Sequence, residues 1–407
     1  MTLPPMNKTC IFLCLLLHIS GSWQPLFSQS PQCGMEWLVR QQGTPMLSGI
    51  SEANLLLDSF IQKNDNQLVF RSGIVIPVVV HVVWNSAEEN VSDERVFSQI
   101  EALNRDFNGE NEDLGDAPDE FRPFMARGGI RFCLAAVDPE GVATSGIIRK
   151  KTGISQMGIK NELFSTALGG SDAWDTERYL NIWAASTGEF LTGYGSYPGL
   201  VSSDREGLVI HPKYFGENES KKYGLGRVAV HEAGHFFGLN HTWGDDEDCA
   251  TDDGVEDTPL QLHPYEGCPA HPQVTCGSSD MFMNFMDYVD DGCMVMFTQG
   301  QMERMLSTIE LFRPGLKKSD VSCVDMDSGK PEPPFLVFPN PTEGELTINF
   351  TEQIAEVGAV EVFSAIGQKV FEMKTVVFDG MKVGLPELPV GIYWIRIGDK
   401  TNKIMIE

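Results

Sequence analysis

Three histidines and one glutamate lie close together in the stretch HEAGHFFGLNHTWG, which begins at His231. His231 and His235 are four residues apart, so on a helix they lie on one face, one turn apart. Neutral imidazole nitrogens at about 2.0–2.1 Å can then bind one Zn²⁺ from the same side, and a turn at Gly238 brings in His241 as a third ligand. The fourth position stays open, as in a catalytic zinc site.

Glu232 directly follows the first histidine, where its carboxylate can reach a water at the open position without replacing a ligand. Zinc lowers the pKa of such a water toward about 7, and a nearby carboxylate can take the proton and later give it to a leaving amine. The spacing therefore predicts a zinc-dependent hydrolase of amide bonds. The alternatives are surface histidines on a helix and a structural zinc site, which would leave Glu232 without a task.

The elements around this stretch predict an α/β domain with a twisted sheet. The run IVIPVVVHVVW from Ile74 is apolar and β-branched, as in a buried strand. It is followed by SDERVFSQIEALNRDF, which opens with a capping residue at Ser92 and has apolar residues at helical spacing. The segments GIRFCLAAVD, RYLNIWAAS and GLVIHPKYFG are further strand candidates. The histidine stretch predicts a helix through Gly238, which tolerates the left-handed conformation, and another helix is expected near 298–312.

Five segments are predicted along the chain. The N-terminal apolar run CIFLCLLLHI is too short to span a membrane and predicts a secretory signal peptide over 1–28. Residues 29–70 are interpreted as a mostly helical prosegment and 71–326 as the catalytic domain. A polar, proline-bearing linker over 327–334 leads to short strands between turns over 335–407, which predict a small all-β sandwich.

The charge of the chain excludes some partners. Hydrophobic residues make up 42% of the chain, enough for packed cores, and the net charge is −27. Nucleic acid and anionic membranes both require a basic face, so neither is an expected partner. No later apolar run is long enough for a membrane span. The protein is therefore predicted to be exported and soluble.

Several motifs together carry a family resemblance. The pattern H-E-x-x-H-x-x-G-x-x-H is the signature of metzincin metallopeptidases, and every fixed position matches. With GVEDTP, FMNFMDYVDDGC and FTQGQMERM, the chain resembles the pappalysin family, specifically its shorter bacterial ulilysin-like members, over roughly 74–315. The resemblance implies an α/β metzincin catalytic domain, with a twisted mixed sheet and a zinc-binding active-site helix. It also implies zinc ligands at His231, His235 and His241, with Glu232 as the general base.

The resemblance assigns roles to three residues after the histidines. Met286 would form the apolar floor beneath the zinc ligands, and Tyr288 would hydrogen-bond the oxyanion of the tetrahedral intermediate. Ordinary core packing is the alternative for both. Asp291, a better match than Asp290, would lie in the pocket for the residue after the scissile bond and favour arginine or lysine through a charge-assisted contact. A solvated loop acid is the alternative there.

The loop DDEDCATDDGVEDTP is rich in carboxylates, the hard oxygen ligands that Ca²⁺ prefers. Its GVEDTP portion resembles the calcium loop of the family. The candidate ligands are Asp253, Asp257 and Thr258, with Asp252 behind them. A merely solvated acidic loop is the alternative.

Seven cysteines remain after removal of the signal peptide, so at least one is unpaired or has another partner. The close set at 249, 268, 276 and 293 should form disulfides in an oxidising compartment. The family resemblance implies the pairs Cys249–Cys276 and Cys268–Cys293.

Cys33, in PQCGMEW, is a candidate latency switch. A thiolate is a good zinc ligand, and ulilysin-like precursors carry such a C-G element, so Cys33 would take the open zinc position in a precursor. The alternative is a disulfide to Cys133 or Cys323; if Cys33 binds zinc, those two either bond to each other or stay reduced. Cleavage at Phe70–Arg71 would suit an enzyme that cuts before basic residues.

The C-terminal segment resembles the sorting domain of the type IX secretion system of Bacteroidetes, through VFPNP, the Gly367 turn and GIYWIRI. This implies export through that machinery; a generic β-sandwich binding module is the alternative. The predicted function is thus a secreted zinc endopeptidase acting on protein or peptide substrates. The rivals are an adhesin with a silent peptidase domain and a processing enzyme with one target.

Overall fold

The structure is a computed structural model that describes residues 32–35, 37–38, 44–64, 73–244, 248–324, 335–338, 342, 344–350, 356–364, 367–377, 380–398 and 400–406. The predicted signal peptide over 1–28, the Phe70–Arg71 bond and the linker over 327–334 lie outside these residues. No helix among the described residues is both long and apolar enough to cross a membrane.

A mixed seven-stranded sheet organises the first domain. Along the sheet the strands run in the order β1-β6-β7-β5-β2-β3, and β4 also pairs with β2. All neighbouring strands are parallel except β6 and β7, which are antiparallel. The strands are β1 (Gln32–Cys33), β2 (Ile74–Trp84), β3 (Ile130–Leu134), β4 (Ile147–Lys151), β5 (Leu180–Ala185), β6 (Leu191–Gly195) and β7 (Leu208–Ile210).

Helices cover the sheet and carry the histidine stretch. Burial of their apolar faces holds them there, as the hydrophobic effect requires. The helix that follows β2 is capped by Ser92, whose side chain accepts a hydrogen bond from the Arg95 amide. The helix after the histidine region begins with a capping box between Thr298 and Gln301. The helices are α1 (Thr44–Asn64), α2 (Asp93–Phe107), α3 (Arg227–Phe236), α4 (Gln299–Phe312) and α5 (Pro314–Lys317).

The active-site helix α3 ends earlier than the sequence pattern predicts. Its last residue is Phe236, Phe237 is the C-cap, and Gly238 follows with φ of 82°. The prediction of a helix through Gly238 was therefore wrong by two residues, because the left-handed glycine lies after the helix end. A Cβ at Gly238 would also lie 2.5 Å from the Thr308 hydroxyl, so a side chain does not fit there.

A separate β-sandwich forms the C-terminal domain, as predicted. One sheet has the order β11-β10-β13-β14 and the other β12-β9-β8, and all pairs within them are antiparallel. Its apolar core is distinct from that of the first domain. The strands are β8 (Phe335–Phe338), β9 (Glu345–Phe350), β10 (Glu356–Ser364), β11 (Lys369–Val377), β12 (Met381–Gly384), β13 (Gly391–Ile397) and β14 (Lys400–Ile406). The predicted fold class is confirmed.

Candidate active site and metal centre

Helix α3 is buried along its whole length and packs against β6 and β7. Its first residue, Arg227, is fixed by ion pairs to Asp106 at 3.1 Å and to Asp113 at 2.6 Å. A Cβ at Gly195 of β6 would lie 2.3 Å from the Glu232 carbonyl oxygen, so the glycine allows the helix to approach the strand closely. These contacts fix α3 against β6 and β7 of the sheet.

The three imidazoles converge through one ring nitrogen each. His235 Nε2 lies 3.2 Å from His231 Nε2 and 3.0 Å from His241 Nε2. The opposite nitrogens of the first two rings are fixed by carbonyls: His231 Nδ1 donates to Phe285 O at 2.7 Å and His235 Nδ1 to Leu239 O at 2.9 Å. Burial and the two neighbouring histidines hold the pKa of His235 well below its usual value, so this ring is neutral.

This donor set fits a zinc ion. Because Nδ1 of His231 and of His235 carries the proton, Nε2 of each ring presents a lone pair to the shared centre. In a tetrahedral zinc site with Zn–N bonds of about 2.0–2.1 Å, the nitrogens lie about 3.3–3.4 Å apart, close to the separations here. Cys33 Sγ joins the same centre, since the four ligand atoms all lie within 4.8 Å of one another.

Cys33 reaches the centre on a strand of its own. Strand β1 runs parallel to β6, with Cys33 opposite Gly193, and the Gly34 amide donates to Gly193 O at 2.7 Å. The Cys33 thiol is buried and donates to Glu232 Oε2 at 3.6 Å. Among the described residues, Cys33 is the one cysteine outside the disulfides.

Glu232 is 0% exposed and lies between β6 and the histidines. Its Oε1 has no hydrogen-bond partner among the described residues. Burial raises the pKa of Glu232 to about 8, against the lowering effects of the Cys33 thiol, His241 and the Gly195 amide. A buried carboxyl with an unused oxygen is the arrangement expected of a proton carrier.

The turn that contains Met286 and Tyr288 lies next to the three histidines. Met286 is fully buried, and a Cβ at Gly234 would lie 2.4 Å from its sulfur, so the thioether packs on α3 between the two helical histidines. The Tyr288 hydroxyl lies 3.2 Å from His241 Nε2, at the edge of the centre. The structure thus brings both predicted residues to the histidines.

Two residues that support the histidine site, Trp243 and Asp287, were not predicted from the sequence. The Trp243 ring stacks on His241, with centroids 4.3 Å apart and planes inclined by 6°. The Asp287 carboxylate is buried and accepts from the amides of Tyr288 at 2.6 Å and Tyr265 at 2.8 Å, which fixes the turn. Burial raises the pKa of Asp287 to about 6. An aromatic residue two after a predicted ligand was a usable signal for Trp243.

A pocket of about 420 Å³ opens beside the centre, and Asp291 lines it. Asp291 is 1% exposed, so it is not a solvated loop acid. Its Oδ2 accepts from the amides of Leu225 at 2.8 Å and Arg227 at 3.3 Å, whereas Oδ1 has no partner among the described residues. Burial raises its pKa to about 6. Asp290 does not line this pocket, and its carboxylate lies 4.0 Å from Lys222.

The predicted calcium residues lie near the start of α4. Asp253 Oδ1 accepts from the Thr258 hydroxyl at 2.7 Å and from the Val255 amide at 3.1 Å, and Asp257 Oδ2 accepts from the Gly300 amide at 2.9 Å. The other oxygen of each carboxylate is buried without a partner among the described residues. Burial raises the pKa of Asp253 to about 7. Asp252 uses one oxygen to accept from the Gly254 amide at 2.9 Å.

Among the described residues, three disulfides brace the first domain. The structure contains the pairs Cys249–Cys276 and Cys268–Cys293, which tie the acidic loop region and the turn segment together. Cys133 pairs with Cys323, which joins β3 to the end of the domain and resolves the alternative left open by the sequence.

Fold and site together define a metzincin-type zinc metallopeptidase. The family model described as Pregnancy-associated plasma protein-A (Peptidase_M43) matches residues 168–310, and that of a secretion system C-terminal sorting domain matches 336–407. The chain belongs to the pappalysin family and carries a type IX sorting tail.

Similar solved structures and related proteins support this assignment. Mature mirolysin of Tannerella forsythia, in complex with a cleaved peptide, is 41% identical with a TM-score of 0.58, over 61% of this chain and 95% of that one. A promirolysin mutant of the same organism is 39% identical with a TM-score of 0.57, over 64% and 90%. An extracellular metalloprotease of Arthroderma otae is 28% identical over 60% of this chain and 81% of its own. The protein is therefore a zinc metalloendopeptidase that is secreted or displayed at the cell surface.

Proposed function

We propose that this protein is made as a latent precursor whose mature form cleaves peptide bonds on the N-terminal side of arginine or lysine. The single observation that carries the proposal is the convergence of three imidazole Nε2 atoms, the Glu232 carboxyl and the Cys33 thiol on one buried centre. The finer roles of Tyr288, Asp291 and the acidic loop follow from their positions around it.

Glu232 is the general base of this mechanism. His231, His235 and His241 would hold the zinc ion, which would supply Lewis-acid polarisation of the scissile carbonyl and would lower the pKa of a water molecule at the centre. Once Cys33 has left, the Glu232 carboxylate takes a proton from the attacking water, and burial keeps that proton available for the leaving amine. The unpartnered Oε1 supports this role, because no neighbour among the described residues competes for it.

Tyr288 stabilises the oxyanion. Its hydroxyl lies 3.2 Å from His241 Nε2, the nitrogen that would face the zinc, so it is close enough to donate to a substrate oxygen at the metal centre. A hydroxyl donor aimed at developing negative charge lowers the barrier more than it stabilises the ground state.

Asp291 sets the preference for a basic residue after the scissile bond. Its buried Oδ1 has no partner among the described residues, and a guanidinium or ammonium group supplies one. Arg227, close to Asp291, is already neutralised by Asp106 and Asp113, so it leaves the acidic character of the pocket in place. Glu266 also lines the pocket and adds to the attraction, while Lys222, which lines it too, lies 4.0 Å from the Asp290 carboxylate.

Cys33 keeps the precursor inactive by taking the fourth zinc position. Helix α1 holds the prosegment in place, because Arg304 donates to Asp58 at 2.6 Å and to Asn54 at 2.7 Å while also donating to Gly238 O at 3.0 Å. Activation therefore requires removal of both the strand and the helix, and cleavage before Arg71 would separate them from the catalytic domain.

Asp253, Asp257 and Thr258 form a calcium site. The two unpartnered carboxylate oxygens support it, since a hard cation satisfies buried oxygens that would otherwise be costly. Calcium here would brace the loop that packs on the N-terminus of α4.

A proteome-derived peptide library tests the proposal. The mature enzyme should cleave before arginine and lysine, a zinc chelator should abolish cleavage, and Glu232→Gln protein should be inactive while still binding zinc. No cleavage by matured, zinc-loaded enzyme would instead favour a binding protein with a silent peptidase domain. A single cleaved sequence would favour a dedicated processing enzyme.

A further inference from the structure

A second pocket, of about 480 Å³, is lined by Tyr194 of strand β6 and by Phe164 and Arg205. Strand β6 passes both pockets and fixes their order. Thr192 lines the Asp291 pocket, Gly193 lies opposite Cys33, and Tyr194 lines the second pocket. If the Asp291 pocket receives the residue after the scissile bond, the second pocket faces residues before it.

The prosegment supplies an indole to the wall of this second pocket. Trp37 and Leu38 line it, and the Trp37 ring lies 6.2 Å from the Tyr194 ring, inclined by 37°. The Tyr194 hydroxyl donates to Gly158 O at 2.7 Å, which fixes its ring as a wall. Phe164, held edge-on against Trp183 at 5.0 Å, forms another wall. The catalytic domain therefore presents a preformed aromatic surface there.

The rim of this pocket is basic. Lys160 and Arg205 line it, and no acidic side chain among the described residues does. Arg205 donates to Asn161 Oδ1 at 2.9 Å, which positions its guanidinium at the edge. The lining of the first pocket contains carboxylates as well as cations, whereas the charged side chains that line the second pocket are both cations. A lysine or arginine that suits the first pocket is therefore disfavoured in the second.

We propose that the pocket formed by Tyr194, Phe164 and the Lys160–Arg205 rim is a substrate subsite for an aromatic side chain on the N-terminal side of the scissile bond. In the precursor Trp37 lies against the Tyr194 ring, and release of the prosegment exposes that ring to substrate. This inference rests on the proposed function. Because β1 runs parallel to β6, a substrate bound antiparallel to β6 passes the same pocket in the reverse direction.

Fluorogenic peptides with arginine after the scissile bond test this subsite on enzyme matured from the full chain. Each of the four positions before the bond is varied in turn among tryptophan, alanine and lysine. At one position, tryptophan should raise kcat/KM about tenfold over alanine, the effect expected for a buried aromatic side chain, and lysine should lower it. Phe164→Ala should reduce the tryptophan advantage to about twofold, and Phe124→Ala, an exposed phenylalanine outside both pockets, should retain it.

A binding measurement gives a readout that does not depend on turnover or on a folded variant. Calorimetry compares the peptide QCGMEWL, residues 32–38, with its Trp37→Ala counterpart on the matured protein. The change should weaken Kd about fivefold or more. Equal affinities, or a tryptophan advantage below twofold at all four positions, would overturn the subsite even if cleavage before arginine is intact. Loss of the arginine preference itself would instead refute the proposed function.

Discussion

The catalytic domain and the C-terminal sandwich bury very different groups. Around the metal centre, Glu232, Asp253 and Asp291 are carboxyls that are almost fully buried, each with one oxygen lacking a partner among the described residues. The buried core cluster of the sandwich is built from aliphatic side chains, methionine and one tyrosine. Its buried Thr342 donates its hydroxyl to Glu345 O at 2.7 Å, so that polar group is satisfied.

This difference distinguishes buried groups that serve function from buried groups that serve stability. An unsatisfied buried carboxyl costs free energy, and it persists where binding or proton transfer requires it. The catalytic domain accepts this cost at these three carboxyls and at single oxygens of Asp257 and Asp290, whereas the described core of the sandwich avoids it. We therefore expect substitutions at the three carboxyls to change function strongly, and core substitutions in the sandwich to change stability alone.

The largest effect is expected at Glu232. Glu232→Gln keeps the shape of the side chain and removes the base, so kcat/KM should fall about 10³-fold. Zinc content, measured on the same sample, should stay at one per chain. Glu303→Gln, an exposed glutamate on α4, is the matched control and should leave kcat/KM unchanged. Retention of more than a tenth of the activity by Glu232→Gln would exclude it as the base.

The next largest effect is expected at Asp291. Asp291→Asn should lower the ratio of kcat/KM for arginine over leucine after the scissile bond by about 10- to 100-fold, because a charge-assisted hydrogen bond becomes a neutral one. Asp290→Asn, one residue earlier and outside the pocket, should change the ratio much less. If Asp290→Asn instead lowered the arginine-to-leucine ratio more than Asp291→Asn, the pocket would be assigned to Asp290.

The pH dependence of the arginine preference also tests the assignment of the pocket to Asp291. The pKa of Asp291 is raised to about 6, so the carboxyl gains a proton and loses its charge as the pH falls through that value. The arginine-to-leucine ratio of kcat/KM should therefore decline below about pH 6 in the wild type. In Asp291→Asn the ratio should be flat over the same range, and a matching decline there would point to another group.

A smaller effect, on stability, is expected at Asp253. Millimolar calcium should raise the Tm of the zinc-loaded protein by about 5 °C, since a ligand that binds the folded state alone stabilises it. Asp253→Asn should abolish this rise. Asp248→Asn, an exposed acid in the same loop region, should retain it. A calcium response that survives Asp253→Asn would place the cation elsewhere.

The smallest effect on activity is expected in the sandwich. Ile395→Ala empties part of its apolar core and should destabilise that domain by about 2–5 kcal/mol. The kcat/KM of the folded protein should stay within about twofold of the wild type, because the two domains have separate cores. A large loss of kcat/KM would show that the sandwich supports the active site.

Features set by residues close together in the chain could be predicted from the sequence, whereas features set by contacts between distant segments could not. One helix and one turn bring His231, His235 and His241 together, so their convergence can be predicted from their spacing in the sequence. The pairing of Cys133 with Cys323, and the passage of β1 along β6, depend on how distant segments meet, and the sequence left the first open and did not indicate the second. The Trp37 pocket combines residues from several such segments and was invisible for the same reason.

X-ray absorption at the zinc edge of the full-length precursor reports which atoms bind the metal. We expect one zinc per chain with three nitrogen neighbours at about 2.0–2.1 Å and one sulfur at about 2.3 Å, and loss of the sulfur in Cys33→Ser. A zinc shell without sulfur in the unaltered precursor, or a chain that holds less than one zinc, would contradict this expectation.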